Sequence, residues 1–262
     1  MIQTPIALTI AGSDSSGGAG IQADLRMFHA QGVYGVSAIT AITAQNPHEV
    51  TAVAGIEPDM VRAQLETLLN HLPIRAIKTG MLWSTNTVSV VSEILSKHPH
   101  IPVVVDPVMI STSGRRLLND DAVTHLRERL LPRCSLATPN LDEAGALLQE
   151  KPPESADLDE TAQRLHQLLK CPVLLKGGHV TGDPVDTLYD GSKITRWTRS
   201  RVHGVNTHGT GCMLSAAVTA GLAKGASLPD AVGAGLHAVY AALQSPVRLT
   251  ENLSVSGIAG AS

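Results

Sequence analysis

The chain has 262 residues, 43% hydrophobic and 16% charged, the balance of a compact globular protein rather than a disordered or fibrous one. Its net charge of −3 gives no basic footprint for nucleic acid, and six aromatic residues (Phe28, Tyr34, Trp83, Tyr189, Trp197, Tyr240) give few stacking platforms for single-stranded bases. Cys134, Cys171 and Cys212 form no disulfide framework or CxxC motif, no signal peptide is apparent, and no stretch of about 18 apolar residues occurs, so a cytoplasmic protein without a membrane span is expected.

In chain order, Ile6-Ala7-Leu8-Thr9-Ile10 reads as a first strand. A glycine-rich turn and a helix over 21–30 follow, with apolar residues at 21, 25 and 28 at helical spacing. Residues 33–43 read as a second strand, and 58–71 as a helix with Met60, Val61, Leu65, Leu68 and Leu69 on its apolar stripe. Further short strands are expected at 75–78, 103–106, 135–138 and 173–176, with helical segments at about 84–97, 119–130, 141–149 and 158–170 between them. Pro102-Val103-Val104-Val105, apolar without alternation, points to strands covered on both faces, hence a parallel sheet in a doubly wound α/β structure. Asp186 to Trp197 reads as a hairpin turning at Asp190-Gly191, adding antiparallel strands at one edge. Two helices rich in small residues, at about 210–224 and 227–244, precede a tail over 246–262 that shows no period and is expected to be loosely ordered. No repeat or linker divides the chain, so one domain over 1–262 is expected.

In open α/β sheets ligands bind beyond the carboxyl ends of the strands, where polar and glycine-rich residues collect in this sequence. Gly12-Ser13-Asp14-Ser15-Ser16-Gly17-Gly18-Ala19-Gly20 has two glycines at phosphate-loop spacing. Gly18 and Ala19, however, stand where that loop needs Lys and Ser or Thr, which excludes a Walker-type site; no GxGxxG turn suggests a dinucleotide fold. The small residues still permit close backbone approach to a ligand. Asn206-Thr207-His208-Gly209-Thr210-Gly211-Cys212 runs straight into a helix, where free N–H groups and the helix dipole make an anion hole suited to a phosphoryl group in transfer. Cys212 at that helix start is expected to have a lowered pKa and to act as a base or polar anchor; its plain alternative is a small buried hydrophobe. Asp106 ends a strand. Asn140 and Glu143 share a face of one helical turn, which suits either hydrated Mg²⁺ with nucleotide phosphates or a capping box. Lys176 ends a strand before two glycines, where burial would be costly without an anionic partner.

Together, Gly12-Ser13-Asp14-Ser15, Gly17 to Asp24, Thr43-Ala44-Gln45-Asn46, Gly80-Met81-Leu82, Val105-Asp106-Pro107-Val108-Met109, Thr138 to Ala144, Lys176-Gly177-Gly178-His179 and Asn206 to Cys212 resemble the hydroxymethylpyrimidine/phosphomethylpyrimidine kinases of thiamine biosynthesis, colinearly over residues 5–244. The resemblance implies a ribokinase-like three-layer αβα sandwich, with a mostly parallel central sheet and antiparallel edge strands. It implies a homodimer that uses MgATP to phosphorylate 4-amino-5-hydroxymethyl-2-methylpyrimidine on its hydroxymethyl oxygen, and then the monophosphate to the diphosphate. By the same resemblance, Gln45 bonds the aminopyrimidine edge, as an amide that both donates and accepts can. Gly12, Asp24, Met81 and Val108 line the pyrimidine pocket. Asn140 and Glu143 organise Mg²⁺ and the ATP phosphates, with Asp106 nearby and Thr207 on the nucleotide. Gly209, Thr210 and Gly211 form the anion hole, Lys176 neutralises phosphate charge, and Cys212 takes or positions the hydroxyl proton.

The chain departs from the family's pattern at Pro47-His48-Glu49, where a small residue and a glycine are usual, at Met213, where Thr is usual, and in its tail. A pyridoxal or pyridoxine kinase of the same superfamily and a non-catalytic pyrimidine-binding module are the competing readings. The Thr43-Ala44-Gln45-Asn46 context favours the pyrimidine, and the intact anion hole favours catalysis.

Overall fold

The computed structural model describes residues 4–109, 117–118, 120–153, 158–178, 182–251 and 253–258. Expectations on His179, residue 119 and residues 259–262 lie outside the described residues.

Ile6–Asp14 (β1) lies inside the sheet and runs through the glycine-rich turn into Gly20–Ala30 (α1) and Tyr34–Gln45 (β2). Val50–Gly55 (β3) folds back on β2, and Pro58–Leu69 (α2) carries the chain across β1 to Ile74–Thr79 (β4). From there the strands step outward one by one: Thr85–Ser96 (α3), Val103–Val105 (β5), Asp120–His125 (α4), Leu136–Ala137 (β6), Leu141–Leu148 (α5), Leu158–Leu169 (α6) and Val173–Leu175 (β7). The hairpin of Val185–Tyr189 (β8) and Ile194–Thr198 (β9) precedes Thr210–Ala223 (α7), Leu228–Gln244 (α8) and a small antiparallel pair, Val247–Thr250 (β10) and Leu253–Val255 (β11).

The sheet order is β3-β2-β1-β4-β5-β6-β7-β8-β9, parallel from β2 to β7, with β3 antiparallel to β2, β8 to β7 and β9 to β8. The expected ribokinase-like sheet, mostly parallel with antiparallel edges, is what forms. Because successive strands go to opposite sides of β1, a crevice opens beyond the carboxyl ends of β1 and β4, where ligands bind in such sheets.

The unalternating valines are explained by packing on both faces. Val103 and Val105 join Leu8, Ile10, Ile77, Val173 and Leu175 against α2, α3, α5 and α6, while Val104, Leu136 and Leu174 face Leu214 and Val218 of α7 and Val232 of α8. Between α1 and α7 the sheet contributes Ala7 and Ala76, against Met27, Phe28, Ala216 and Ala220. Small residues on that face let α7 lie close to the sheet, which brings its N-terminus over the strand ends. Each fully buried large apolar side chain, Phe28 among them, contributes about 1.5–3 kcal/mol.

Three features differ from the sequence expectations. Strand β3 has a mostly exposed face with no apolar period, and its pairing with β2 makes it a strand; the Asn46-Pro47-His48-Glu49 connection is closed by Asn46 Oδ1, which accepts from the N–H groups of His48 and Glu49. The tail forms the β10–β11 pair, anchored by a bridge between Asn206 and Val255 and by Gly257 N–H donating to Ala242 O at 2.9 Å. Cys134 and Cys171, distant in sequence, are brought into thiol contact because they precede the neighbouring strands β6 and β7.

Candidate active site

A cavity of about 620 Å³ lies over the carboxyl ends of the parallel strands and is closed on its other side by the start of α7. All the residues singled out for the site line it, with one exception. Asp24, on the inner face of α1, has no solvent exposure: both its oxygens meet Lys78 Nζ, at 2.8 and 2.9 Å, and Thr9 Oγ1 donates to it at 2.6 Å. Asp24, expected to line the pyrimidine pocket, thus lies outside the cavity lining, its carboxylate held in an ion pair with Lys78. Lys78 itself lines the cavity.

At one end of the cavity stand Gly12, Gln45, Met81 and Val108. A side chain at Gly12 would run into Met81, so the missing Cβ makes room for the thioether that covers this end. Gln45 closes β2, and its backbone is pinned to the glycine-rich loop by Ser15, whose hydroxyl donates to Gln45 O at 2.8 Å and accepts from Gln45 N–H at 2.9 Å.

Asp106, Asn140, Glu143 and Lys176 follow from β5, β6 and β7, which are adjacent in the sheet. Lys176 Nζ donates to Asp106 Oδ1 at 2.9 Å and lies 3.8 Å from Glu143 Oε2, so the lysine has the anionic partners that its burial requires. Asn140 and Glu143 form a complete capping box at the start of α5: Asn140 Oδ1 accepts from Glu143 N–H at 2.9 Å, and Glu143 Oε2 from Asn140 N–H at 2.8 Å. Burial raises the pKa of Glu143 to about 7, against the Lys176 ammonium and with help from the Asp106 charge.

The N-terminus of α7 faces this group. Gly209 has φ +80°, which L-residues rarely adopt, and a side chain there would strike the carbonyl of Gly18, so glycine brings the α7 start against the loop after β1. The N–H of Thr210 (3.2 Å) and its hydroxyl (2.9 Å) both donate to Thr207 O, so Thr210 shapes the turn, and the helix's free N–H groups are left to Gly211 and Cys212. Cys212 corrects another expectation. Burial pushes its thiol up to about 11; the Lys78 ammonium and the Gly20 N–H pull the other way but do not win. A helix-start position lowers a cysteine pKa only while the sulfur stays hydrated, and here desolvation dominates.

Asp14 and Arg199 of the cavity lining, and His208 behind it, are not singled out by the sequence. Asp14 organises the glycine-rich loop: its Oδ1 accepts from Ser16 N–H and Oγ, both at 2.8 Å, and its Oδ2 from Ala19 N–H at 2.8 Å. His208 reaches Asp14 Oδ2 at 3.1 Å and the Gln45 amide at 3.0 Å. Both residues stood inside the motifs that carry the resemblance, but their contacts span 163 and 194 residues. Arg199 lines the cavity as well, and its Nη1 is buried without a hydrogen-bond partner among the described residues.

The family model for phosphomethylpyrimidine kinase matches residues 14–255. A hydroxymethylpyrimidine/phosphomethylpyrimidine kinase of Rhizobium meliloti is 45% identical over 248 residues, covering 94% of this chain and 93% of that protein. Among solved structures, a Bacillus subtilis pyridoxal kinase in an ADP complex has a TM-score of 0.91 at 36% identity, over 98% of each chain. A phosphomethylpyrimidine kinase of Clostridium difficile has a TM-score of 0.80 at 39% identity, over 90% of this chain and 98% of the other. A family match over nearly the whole chain and full-length relatives at this identity place the chain in the phosphomethylpyrimidine kinase family.

Proposed function

We propose that this kinase transfers the γ-phosphoryl group of ATP to the hydroxymethyl oxygen of 4-amino-5-hydroxymethyl-2-methylpyrimidine, and a second one to the resulting monophosphate, as a cytoplasmic homodimer. The observation that supports it most is the meeting of the α7 N-terminus with Lys176: a Cβ at Gly211 would lie 3.3 Å from Lys176 Nζ and 3.7 Å from Asp106 Oδ2. Oriented N–H groups and an ammonium thus face one small space between the pyrimidine end and the nucleotide end. In the reaction the hydroxymethyl oxygen bonds to the γ-phosphorus as the bond to the bridging oxygen of ADP breaks, and the hydroxyl proton passes to an oxygen of the transferred phosphoryl group. Charge spread over the three equatorial oxygens is met by the Gly211 and Cys212 N–H groups and by Lys176. Cys212, a thiol at neutral pH, positions the hydroxymethyl oxygen; a loose transition state asks little of a base.

Among the described residues no group of three or more His, Cys, Asp or Glu could close around a metal. Asp106 and Glu143, with Lys176 between them, fit instead a hydrated Mg²⁺ carried mainly by the nucleotide phosphates, whose charge the ion would share. Asn140 and Thr207 border the phosphates, and Leu236, Val239 and Tyr240 of α8 give an apolar wall for the base.

Among the described residues no helix is long and apolar enough to cross a membrane. Exposed Tyr34 and Ile42 offer apolar surface to a second copy, and light scattering across a concentration series tests the dimer.

The function is tested by following ADP release with MgATP and, separately, the hydroxymethylpyrimidine, its monophosphate and pyridoxal. Turnover with both pyrimidines is expected. The high structural likeness to a pyridoxal kinase supports a second reading, which turnover with pyridoxal alone would establish. No turnover with any of the three would favour a binding module.

A further inference from the structure

The Gln45 side-chain amide lines the cavity and meets the protein at both of its termini: one lies 3.0 Å from His208 Nε2 and the other 3.2 Å from Thr43 Oγ1. Both neighbours have already committed their hydrogens. Asp14 Oδ2 lies 3.1 Å from the same His208 nitrogen, and an ionised carboxylate only accepts, so that nitrogen carries a hydrogen whether the ring holds one proton or two. Asp14 does stay ionised: burial works against the charge, but hydrogen bonds from His208, Ser16 and Ala19 hold the carboxyl below its ordinary range. Thr43 has one hydroxyl hydrogen, and Ser13 O takes it at 2.9 Å. An amide with nitrogen toward His208 and oxygen toward Thr43 would set donor against donor and acceptor against acceptor. Turned by 180°, its oxygen shares the single His208 Nε2–H with Asp14 and its nitrogen donates to Thr43, so no like groups face each other; the network assigns the two termini.

We infer that His208 is a positioning residue which, with Thr43 as second anchor, holds the Gln45 amide in one orientation and so fixes the donor–acceptor order that the cavity accepts on a heteroaromatic substrate. The inference rests on the reading that a pyrimidine binds at Gln45. In the fixed orientation the amide offers its second oxygen lone pair and its second N–H in a set order. A ring edge with an amino group beside an unprotonated ring nitrogen matches that order. An edge with an oxo group beside a ring N–H reverses it, and the ring cannot turn over to compensate, because its hydroxymethyl arm must point to Cys212. His208 belongs to the loop that starts α7, its N–H donates to Asn206 Oδ1 at 2.8 Å, and a Cβ at Gly18 would lie 2.8 Å from its ring. One residue therefore links ring recognition to the loop that grips the transferred phosphate.

Titration calorimetry of 4-amino-5-hydroxymethyl-2-methylpyrimidine and of its 4-oxo analogue tests this without requiring turnover. The wild type is expected to bind the amino ring about 100-fold or more tightly than the oxo ring, since a misordered edge leaves buried polar groups unpaired. In His208→Ala the released amide can suit either edge, and the ratio is expected to narrow to about tenfold or less. His208→Gln, whose side-chain N–H can stand near the ring nitrogen's position, is expected to restore the ratio. A wild-type ratio in His208→Ala overturns the inference, as does a ratio in His208→Gln as narrow as in the alanine variant. Should His208→Ala not fold, Thr43→Val removes the other anchor with little change of shape; a narrowed ratio supports the inference and an unchanged one overturns it. A wild type that binds neither ring overturns the functional reading and this inference with it, whereas equal discrimination by wild type and variants overturns the inference alone.

Discussion

Lys78 Nζ lies 2.8 and 2.9 Å from the two carboxylate oxygens of Asp24, and neither side chain has any solvent exposure. Burial opposes the lysine's charge, yet the Asp24 carboxylate, joined by the nearby Cys212 and Asp106, holds Lys78 above the ordinary lysine range. The pair ties α1 to β4 directly under the cavity. Lys78→Met or Asp24→Asn alone leaves one charge uncompensated and is expected to cost about 3–5 kcal/mol of stability. The Lys78→Met/Asp24→Asn double variant is expected to lose much less than the sum of the two. Urea unfolding of all four proteins measures this; additive losses would show that the two charges do not act as a pair.

The Cys212 thiol, pushed up to about 11, predicts slow alkylation in the ligand-free protein. Iodoacetamide at pH 7.5 should modify Cys212 about tenfold or more slowly than a free thiol, with the rate climbing steeply toward pH 11. Peptide mass spectrometry separates it from buried Cys134 and Cys171. A rate that levels off below pH 9 would mean that the helix start overcomes burial.

Glu143, raised by burial from 4.5 to about 7, predicts a pH dependence of stability. The folded protein keeps this proton to higher pH than the unfolded chain does. The stabilisation from this group is therefore complete below pH 4.5 and is lost as pH rises through 7. In ligand-free protein, thermal unfolding of wild type minus Glu143→Gln should show the wild type losing ground between pH 5 and pH 8. A flat difference across that range would contradict the raised carboxyl.

Arg199, whose buried Nη1 has no hydrogen-bond partner among the described residues, offers a donor to an anionic ligand. Arg199→Ala is expected to raise the KM for ATP about tenfold while kcat with the pyrimidine changes less. Steady-state kinetics at saturating pyrimidine decide it; an unchanged KM would place Arg199 outside the nucleotide contacts.

Lys176 meets two carboxylates and faces the start of α7, where a monophosphate substrate adds further negative charge. Lys176→Ala should therefore slow the second phosphorylation about tenfold more than the first. Equal losses on the two substrates would sink the idea.

Much of the site was legible in local sequence. Gln45, Asp106, Asn140 and Lys176 each follow a short apolar run, and a strand's carboxyl end is where a doubly wound sheet presents its ligand residues. The capping box was legible for the same reason, since its two residues lie on one helical turn. Asp24 was misassigned because its motif position gave no sign of Lys78, 54 residues away, which takes its carboxylate out of the cavity.

The alternation of strands and helices, the glycine-rich turns and the family are legible in the primary structure, because each depends on periodicity or on residue types within a few positions of one another. Tertiary structure decided the protonation of Cys212, the burial of the Asp24–Lys78 pair, the Cys134–Cys171 contact, the strand identity of Val50–Gly55 and the meeting of Asp14, Gln45 and His208. Desolvation and hydrogen-bond partnership are set by whichever segments the sheet order brings together, and that order joins residues 163 and 194 positions apart that no local pattern links.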